Sequence, residues 1–260
     1  MDQHSDNWPG VPDLFRRPAA ALPWPWQDMF GPLRAGGADE LTVVAQMGQS
    51  IDGRIATESG HSKYINGPAG LDHLHRLRAL VDAVVIGVGT AVADDPQLTV
   101  RRVAGPSPAR VVIDPRARLS RNARLFAADG ARRIVVCGSD AAANVPAGVE
   151  VLRVRTSDGC FAPKDILAAL HGAGLRRIMV EGGGRTVSGF LKAGCLDRLH
   201  IVVAPMLLGA GQPSIELPPV KFADDALRPP VRAHLLADEV LFDIDLSAQR
   251  VPVGCAKTSR

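Results

Sequence analysis

From Leu41 onward the chain alternates short apolar runs with segments of helical period. Leu41–Met47 has the pattern of a strand. Asn66-Gly67-Pro68 then opens a helix whose apolar face would be Leu71, Leu74, Leu77 and Val81. Asp82–Gly87 contains the unbroken run Ala-Val-Val-Ile, the mark of a parallel strand covered on both faces. The same reading gives strands at Arg110–Asp114, Arg133–Cys137, Glu150–Val154, Arg177–Glu181 and Arg198–Ala204. One helix follows Pro163 and ends near Gly172–Gly174; another spans Thr186–Ala193 and is closed by Gly194. Arg232–Ala237 and Val240–Leu246, around Asp238-Glu239, form an antiparallel hairpin. Strands alternating with helices predict an α/β fold: a mixed, mostly parallel central sheet with helices on both faces, ending in that hairpin. No internal repeat or linker interrupts Leu41–Leu246, so residues 39–248 read as one domain and 249–260 as a tail.

Residues 1–38 have a different character. They hold all three tryptophans (Trp8, Trp24, Trp26) and six of the 20 prolines. Pro23-Trp24-Pro25-Trp26 is no helix interior, because each proline removes a donor and restricts its predecessor. The composition fits a mobile arm. It equally fits an arm whose tryptophans pack onto the domain or onto a partner subunit.

Charge narrows the function classes. With 30 Lys plus Arg against 27 Asp plus Glu and no basic block, the chain lacks the electrostatic footprint of a nucleic-acid binder. Cys137, Cys160, Cys195 and Cys255 form no C-x-x-C pair, and no histidine sits at zinc-ligand spacing from them, which fits a reduced, cytoplasmic protein without a metal. The N-terminus has no signal-peptide pattern, and no apolar stretch approaches the roughly 20 residues that span a membrane.

Two glycine segments carry the first chemical signal. Ile178–Glu181 is an apolar strand, Gly182-Gly183-Gly184 follows, and a helix begins at Thr186. Glycines admit a ligand to the backbone, and a helix N-terminus offers unpaired N–H groups to phosphate. A plain tight turn is the alternative, against which Glu181 stands at the strand end where open α/β sheets bind ligands. The second segment, Ile86-Gly87-Val88-Gly89-Thr90, is not a Rossmann fingerprint, since Val92 stands where the third glycine belongs. Asp94 and Asp95 are acceptors for ribose or amide groups, or a helix cap and turn before Pro96. Ser62, Arg78 and Arg101 are candidates for a phosphate, which arginine holds in a bidentate fork. His73 and His75, two apart on a helix, point to different faces and read as solvated or structural.

These motifs together resemble the riboflavin-pathway pyrimidine reductases. The match covers about Leu41 to Leu246 and includes Ser50-Ile51-Asp52-Gly53-Arg54, Leu77-Arg78-Ala79, Val84–Arg101, Arg110–Asp114, Val180–Gly184 and Gly194–Gly209. The resemblance implies a dihydrofolate-reductase-like fold, an NADPH cofactor and a homodimer. It implies that Gly48, Thr90, Asp94 and the turn Gly182, Gly183, Gly184 contact NADPH. Ser62, Arg78 and Arg101 would hold the substrate 5′-phosphate, Leu98 would line the pocket, and Glu181 would contact the substrate beside the reacting carbon. The implied reaction is reduction of the ribosyl group of a 5-amino- or 2,5-diamino-6-(5-phosphoribosylamino)pyrimidine to a ribitylamino chain.

Two positions depart from the family pattern: Gln46 replaces a usual lysine and Tyr64 a usual tryptophan. Gln46 keeps open a paralogous reductase of another pterin or pyrimidine; a non-catalytic binding relative is the other alternative. The H-x-E and P-C-x-x-C motifs of the zinc deaminase found in bifunctional members are absent, which fits a stand-alone reductase.

Overall fold

The structure, a computed structural model, describes residues 7–34, 39–157 and 159–253. Cys255, the outer ends of the 1–38 segment and most of the 249–260 tail lie outside the described residues. In chain order the main elements are α1 (Val11–Phe15), α2 (Trp26–Phe30), β1 (Thr42–Ser50), β2 (Arg54–Ala56), α3 (Pro68–Leu80), β3 (Ala83–Gly87) and α4 (Val88–Asp94). They continue with β4 (Ala109–Ile113), β5 (Arg133–Gly138), β6 (Glu150–Val154), α5 (Pro163–Gly172), β7 (Arg177–Glu181) and α6 (Gly184–Lys192). The last strands are β8 (Arg198–Ala204), β9 (Gln212–Pro213), β10 (Val231–Leu236) and β11 (Glu239–Asp245).

Nine strands form one sheet in the order β10-β11-β8-β1-β7-β3-β4-β5-β6. All neighbouring pairs are parallel except those made by β11, so the C-terminal hairpin makes the sheet mixed, as the strand pattern predicts. Alternation along each strand then divides the core in two. Val44, Ile86, Met179 and Val202 face the side covered by α3 and the N-terminal segment. Val43, Ala45, Val85, Val180 and Leu199 face the side covered by α5 and α6.

The N-terminal segment belongs to the first of these cores. Trp8 and Trp26 are buried, and Trp24 alone of the three is exposed. Trp26 stacks on Phe30 and Phe30 on His73, while Trp8 Nε1 donates to the Ala104 carbonyl at 2.7 Å. Of the two readings of this segment, its described residues take the packed one, and the surface they cover is their own chain's.

Helix α3 corrects one expectation and decides between two others. Leu77 and Val81 are buried and Leu74 packs against the core as expected, but Leu71 is exposed, and Gly70, His73 and Leu80 join the buried stripe. Of the two readings of the histidines the structural one holds: both His73 and His75 are buried. A buried imidazole is tolerated where it is hydrogen-bonded, and His73 Nε2 lies 3.0 Å from His200 Nδ1, while His75 Nδ1 accepts the Arg101 N–H at 3.1 Å. The start of α3 is capped from the far end of the chain. Buried Glu239 accepts the N–H groups of Gly67 and Gly70 at 3.0 and 2.7 Å, placing a carboxylate at the positive end of the helix.

Candidate active site

The carboxyl ends of β1, β3 and β7 are adjacent in the sheet, and the glycine segments converge there. β7 ends at Glu181, Gly182 turns the chain at φ +112°, and Gly183 is the N-cap of α6. The helix therefore begins at Gly184, two residues before the expected Thr186. The Gly183 N–H donates to Thr90 Oγ1 at 3.0 Å, so Thr90, in the first turn of α4, closes the glycine turn. The N–H groups of Gly184 and Arg185 find no acceptor among the described residues, as expected at a helix start. A Cβ on Gly87 would meet Thr186 Oγ1 at 2.5 Å, and one on Gly184 the Ser214 carbonyl at 2.5 Å. These glycines allow two helix starts and the 213–214 backbone to close on one point.

Asp94 and Asp95 separate into two roles. Asp95 is the left-handed C-cap of α4 at φ 39° and accepts the Arg124 N–H at 2.8 Å, which makes it the structural member. Asp94 has no hydrogen-bond partner among the described residues, and partial desolvation raises its carboxyl above the usual range. Leu98 is buried at φ 55°, a conformation that costs a bulky residue about 1–3 kcal/mol and persists where surroundings impose it.

The basic corner lies beside Glu181. Arg78, buried on α3, reaches across to Glu181 with Nε at 2.9 Å and Nη2 at 2.5 Å, and donates to the Thr99 carbonyl at 3.0 Å. Two residues expected to touch different parts of a substrate are thus each other's partner. Arg101 is exposed, with its side chain paired to no acid among the described residues. Partial desolvation and then the charge of Arg78 lower its guanidinium. His75 is pushed down to about 3 by burial, then by Arg78, Arg101 and Arg102, so it stays neutral and accepts the Arg101 N–H. Ser62 sits on the exposed loop between β2 and α3 without a hydrogen bond to the described residues, and Tyr64 beside it is exposed at φ 70°.

Gly48 lies inside β1 and not in a strand-to-turn junction, for β1 runs on to Ser50. A Cβ there would fall 1.4 Å from Asn66 Oδ1. Asn66 fills that space and donates to Glu239 Oε1 at 2.7 Å. A glycine inside a strand pattern signals such a close approach, though not which residue makes it.

A row of polar side chains crosses the sheet at one level, and sequence spacing gave no sign of it. Glu181 is in register with Gln46, Gln46 with His200, His200 with Asp243, and Asp243 with Arg232. Arg198 makes a bidentate pair with buried Asp243, both contacts at 2.7 Å, and His200 Nε2 lies 3.1 Å from Asp243 Oδ1. The two acids of this row at Glu181 and Asp243 are therefore each matched by an arginine. Among the described residues, no group of three or more His, Cys, Asp or Glu has metal-binding geometry.

Residues 41–228 match the family described as the RibD C-terminal domain. Over 175 residues the chain is 35% identical to the 2,5-diamino-6-ribosylamino-4(3H)-pyrimidinone 5′-phosphate reductase of Methanothermobacter thermautotrophicus, covering 64% of this chain and 79% of that one. It is 35% identical over 173 residues to the riboflavin biosynthesis protein RibD of Aquifex aeolicus, covering 65% of this chain and 48% of that protein. The chain thus spans about half the length of the RibD proteins it matches. A solved deaminase and 5-amino-6-(5-phosphoribosylamino)uracil reductase from Thermotoga maritima superposes with a TM-score of 0.67 at 28% identity, over 79% of this chain and 56% of that one.

Proposed function

The chain belongs to the RibD C-terminal domain family, and from that premise we propose that it is an NADPH-dependent reductase of a phosphoribosylamino-pyrimidine in riboflavin biosynthesis. One observation carries this reading. Glu181 and Gly182 are consecutive, yet the first holds Arg78 in the basic corner and the second opens the glycine turn that Thr90 closes. The basic corner and the glycine turn are thereby adjacent, so a substrate held at the first and a cofactor at the second would be neighbours.

The residues at the turn fit a dinucleotide. Gly182 and Gly183 offer no side chain to block a pyrophosphate, α6 presents free N–H groups, and Asp94 is an unpaired acceptor near Thr90 in the same helix. Bound NADPH would supply the hydride to the imine carbon of the ring-opened ribose. Arg101 offers an unpaired charge to the 5′-phosphate, with Ser62 a further contact. Arg78 acts through its fork to Glu181, which would stand beside a developing cationic imine and stabilise it. Leu98 closes the pocket wall. The exposed Arg116 and Arg118, just past β4, support a preference for NADPH over NADH.

A cytoplasmic homodimer fits the same reading. Val231 and Leu235 of β10 pair across the hairpin with Ile244 and Val240 of β11, with Phe242 between them, and one face of this sheet end is apolar and exposed, Leu235 by 82%. A second copy covering that face would remove a liability that an open edge otherwise carries. No described helix is long and apolar enough to cross a membrane.

The deciding assay is NADPH oxidation with the diamino-pyrimidinone and the aminouracil substrates, each with and without its 5′-phosphate. Turnover of a phosphorylated form is expected, and Arg101→Ala should lower its kcat/KM by roughly 10- to 150-fold, the loss of one charge-assisted contact. The dephosphorylated substrate should be affected little by the same substitution. Equal effects on both would remove Arg101 from the phosphate site, and no turnover of any substrate would remove the function.

A further inference from the structure

We infer that the N-terminal segment positions the arginine-bearing loop: Trp8, which lies outside the matched family domain, holds residues 101–107 so that Arg101 is already set to receive a substrate phosphate. This rests on the reductase reading above and makes Trp8 a positioning residue for it.

Thr99, whose carbonyl takes Arg78, and Arg101 lie at the start of a loop without regular structure. Among the described residues, 101–107 make no backbone-to-backbone hydrogen bond. Each hydrogen bond that holds the loop involves a side chain. Ser107 Oγ accepts the Val100 N–H at 3.0 Å and closes the loop on itself. On α3, His75 Nδ1 accepts the Arg101 N–H at 3.1 Å and Asp72 accepts Arg102 Nε at 2.6 Å. The far side is held by the N-terminal segment. Trp8 Nε1 donates to the Ala104 carbonyl at 2.7 Å. Gly105 fits between Pro12 and Ala79, where a Cβ would lie 3.4 Å from Pro12 Cγ and 2.6 Å from Ala79 Cβ.

The segment is itself fixed on α3. Trp8 is buried, and the guanidinium of Arg76 lies over its ring at 5.7 Å. Arg16 Nη2 donates to the Ala79 carbonyl at 3.2 Å. Arg76 and Ala79 bracket Arg78, so the same segment braces both arginines of the basic corner. The family match begins at residue 41, and this brace is therefore supplied from outside it.

Charge gives the anchor its purpose. Burial, and then the charges of Arg78, Arg124 and Arg102, disfavour the charge on Arg101, while Glu181 favours it. Both Glu181 oxygens are already taken by Arg78. Like charges repel, so a loop bearing Arg101 is pushed away from the corner until an anion arrives. A buried indole that donates to the loop, and a glycine packed against Pro12, hold it whether or not the anion is bound. The phosphate then need not order the loop as it binds, and its affinity rises by that saving.

Trp8→Phe in the full chain tests this, because it keeps a buried ring and removes the Nε1–H donor. The KM for the phosphorylated pyrimidine should rise at least about fivefold, with kcat and the NADPH Kd within about twofold of wild type. The dephosphorylated substrate should change less than about twofold. Trp8→Phe/Arg101→Ala should lose no more than Arg101→Ala alone, since the anchor matters only through Arg101. Hydrogen exchange reads the loop without substrate: the amides of 101–105 should exchange at least about fivefold faster in Trp8→Phe, and those of 183–187 at the wild-type rate. A merely structural tryptophan would speed exchange in both segments and affect both substrates alike. Either of those results, or an unchanged KM, overturns the inference. If Trp8→Phe does not fold, Arg16→Met decides: it frees the segment from Ala79 at an exposed position, and the same KM must rise at least about twofold. A wild type that turns over no phosphorylated pyrimidine overturns the functional reading and the phosphate role with it, while the exchange rates still decide whether Trp8 anchors the loop.

Discussion

Arg78 and Glu181, 103 positions apart in the chain, meet in a two-pronged ion pair beneath the glycine turn, with Nε to Oε2 at 2.9 Å and Nη2 to Oε1 at 2.5 Å. Both side chains are mostly shielded from solvent, so removing one leaves the other charge without its partner. Arg78→Ala should cost about 3 kcal/mol of stability, and Arg78→Lys should restore little of it, because an ammonium cannot reproduce the fork. In a denaturant series the double variant Arg78→Ala/Glu181→Ala should be much less destabilised than the sum of the singles. Additive losses would mean that the pair is not energetically coupled.

The glycine turn allows two substitutions with opposite signatures. A Cβ on Gly184 would strike the backbone carbonyls of Ser214 and Pro213, at 2.5 and 2.8 Å. Gly184→Ala should therefore lower stability by about 1–3 kcal/mol through overpacking, visible as a lower Tm. A Cβ on Gly183 meets only Thr90 Oγ1, at 3.3 Å, and the backbone there is ordinary extended chain. Gly183→Val should keep most of the stability and raise the NADPH Kd at least tenfold, about 1.4 kcal/mol. Unchanged NADPH affinity in folded Gly183→Val would place the cofactor elsewhere.

Acid should destabilise the fold through its buried histidines. Burial, and then the proximity of His200, holds His73 far below the usual imidazole range. His75 is pushed down to about 3, and burial also lowers His234. Below about pH 6.5 the unfolded chain takes up protons at these sites while the native chain does not, so unfolded protein binds more protons and native stability falls with pH. Each such histidine contributes a slope of up to about 1.4 kcal/mol per pH unit. Urea unfolding at pH 7.5, 6.5 and 5.5 should show little change over the first step and a marked loss over the second. His73→Asn should flatten the second step.

The tryptophans of the N-terminal segment should differ sharply. Trp26 is buried among Trp8, Phe30 and the Arg76 guanidinium, whereas Trp24 is 67% exposed. Trp26→Ala should cost about 3–5 kcal/mol, and Trp24→Ala about 0.5 kcal/mol or less. Equal Tm values for the two variants would return the segment to the reading of a mobile arm.

Most of the sheet was legible in the chain itself. Glu150–Val154, Arg177–Glu181 and Arg198–Ala204 have the predicted limits, and the hairpin lies within one residue of them. The short β2 and β9 pair and the α4 helix were not foreseen. Arg54–Ala56 and Gln212–Pro213 are too short for a period to register, and a seven-residue helix directly after a strand looks like a loop. Of the site, the glycine turn and Thr90 were visible as a motif; that Thr90 Oγ1 accepts the Gly183 N–H was not.

By itself, then, the sequence determined the longer elements of the sheet, their types and the α/β class, because apolar periodicity is a local property imposed by the geometry of each element. It also marked the glycine and arginine segments as candidates for a cofactor and a phosphate. Only the tertiary structure decided which partners those residues take. Strand order sets Glu181, Gln46, His200 and Asp243 side by side, packing of α3 brings Arg78 onto Glu181, and the chain's last hairpin supplies Glu239 to cap α3. Such pairings join residues far apart in the chain, and their geometry follows from sheet register and layer packing, which no local spacing records.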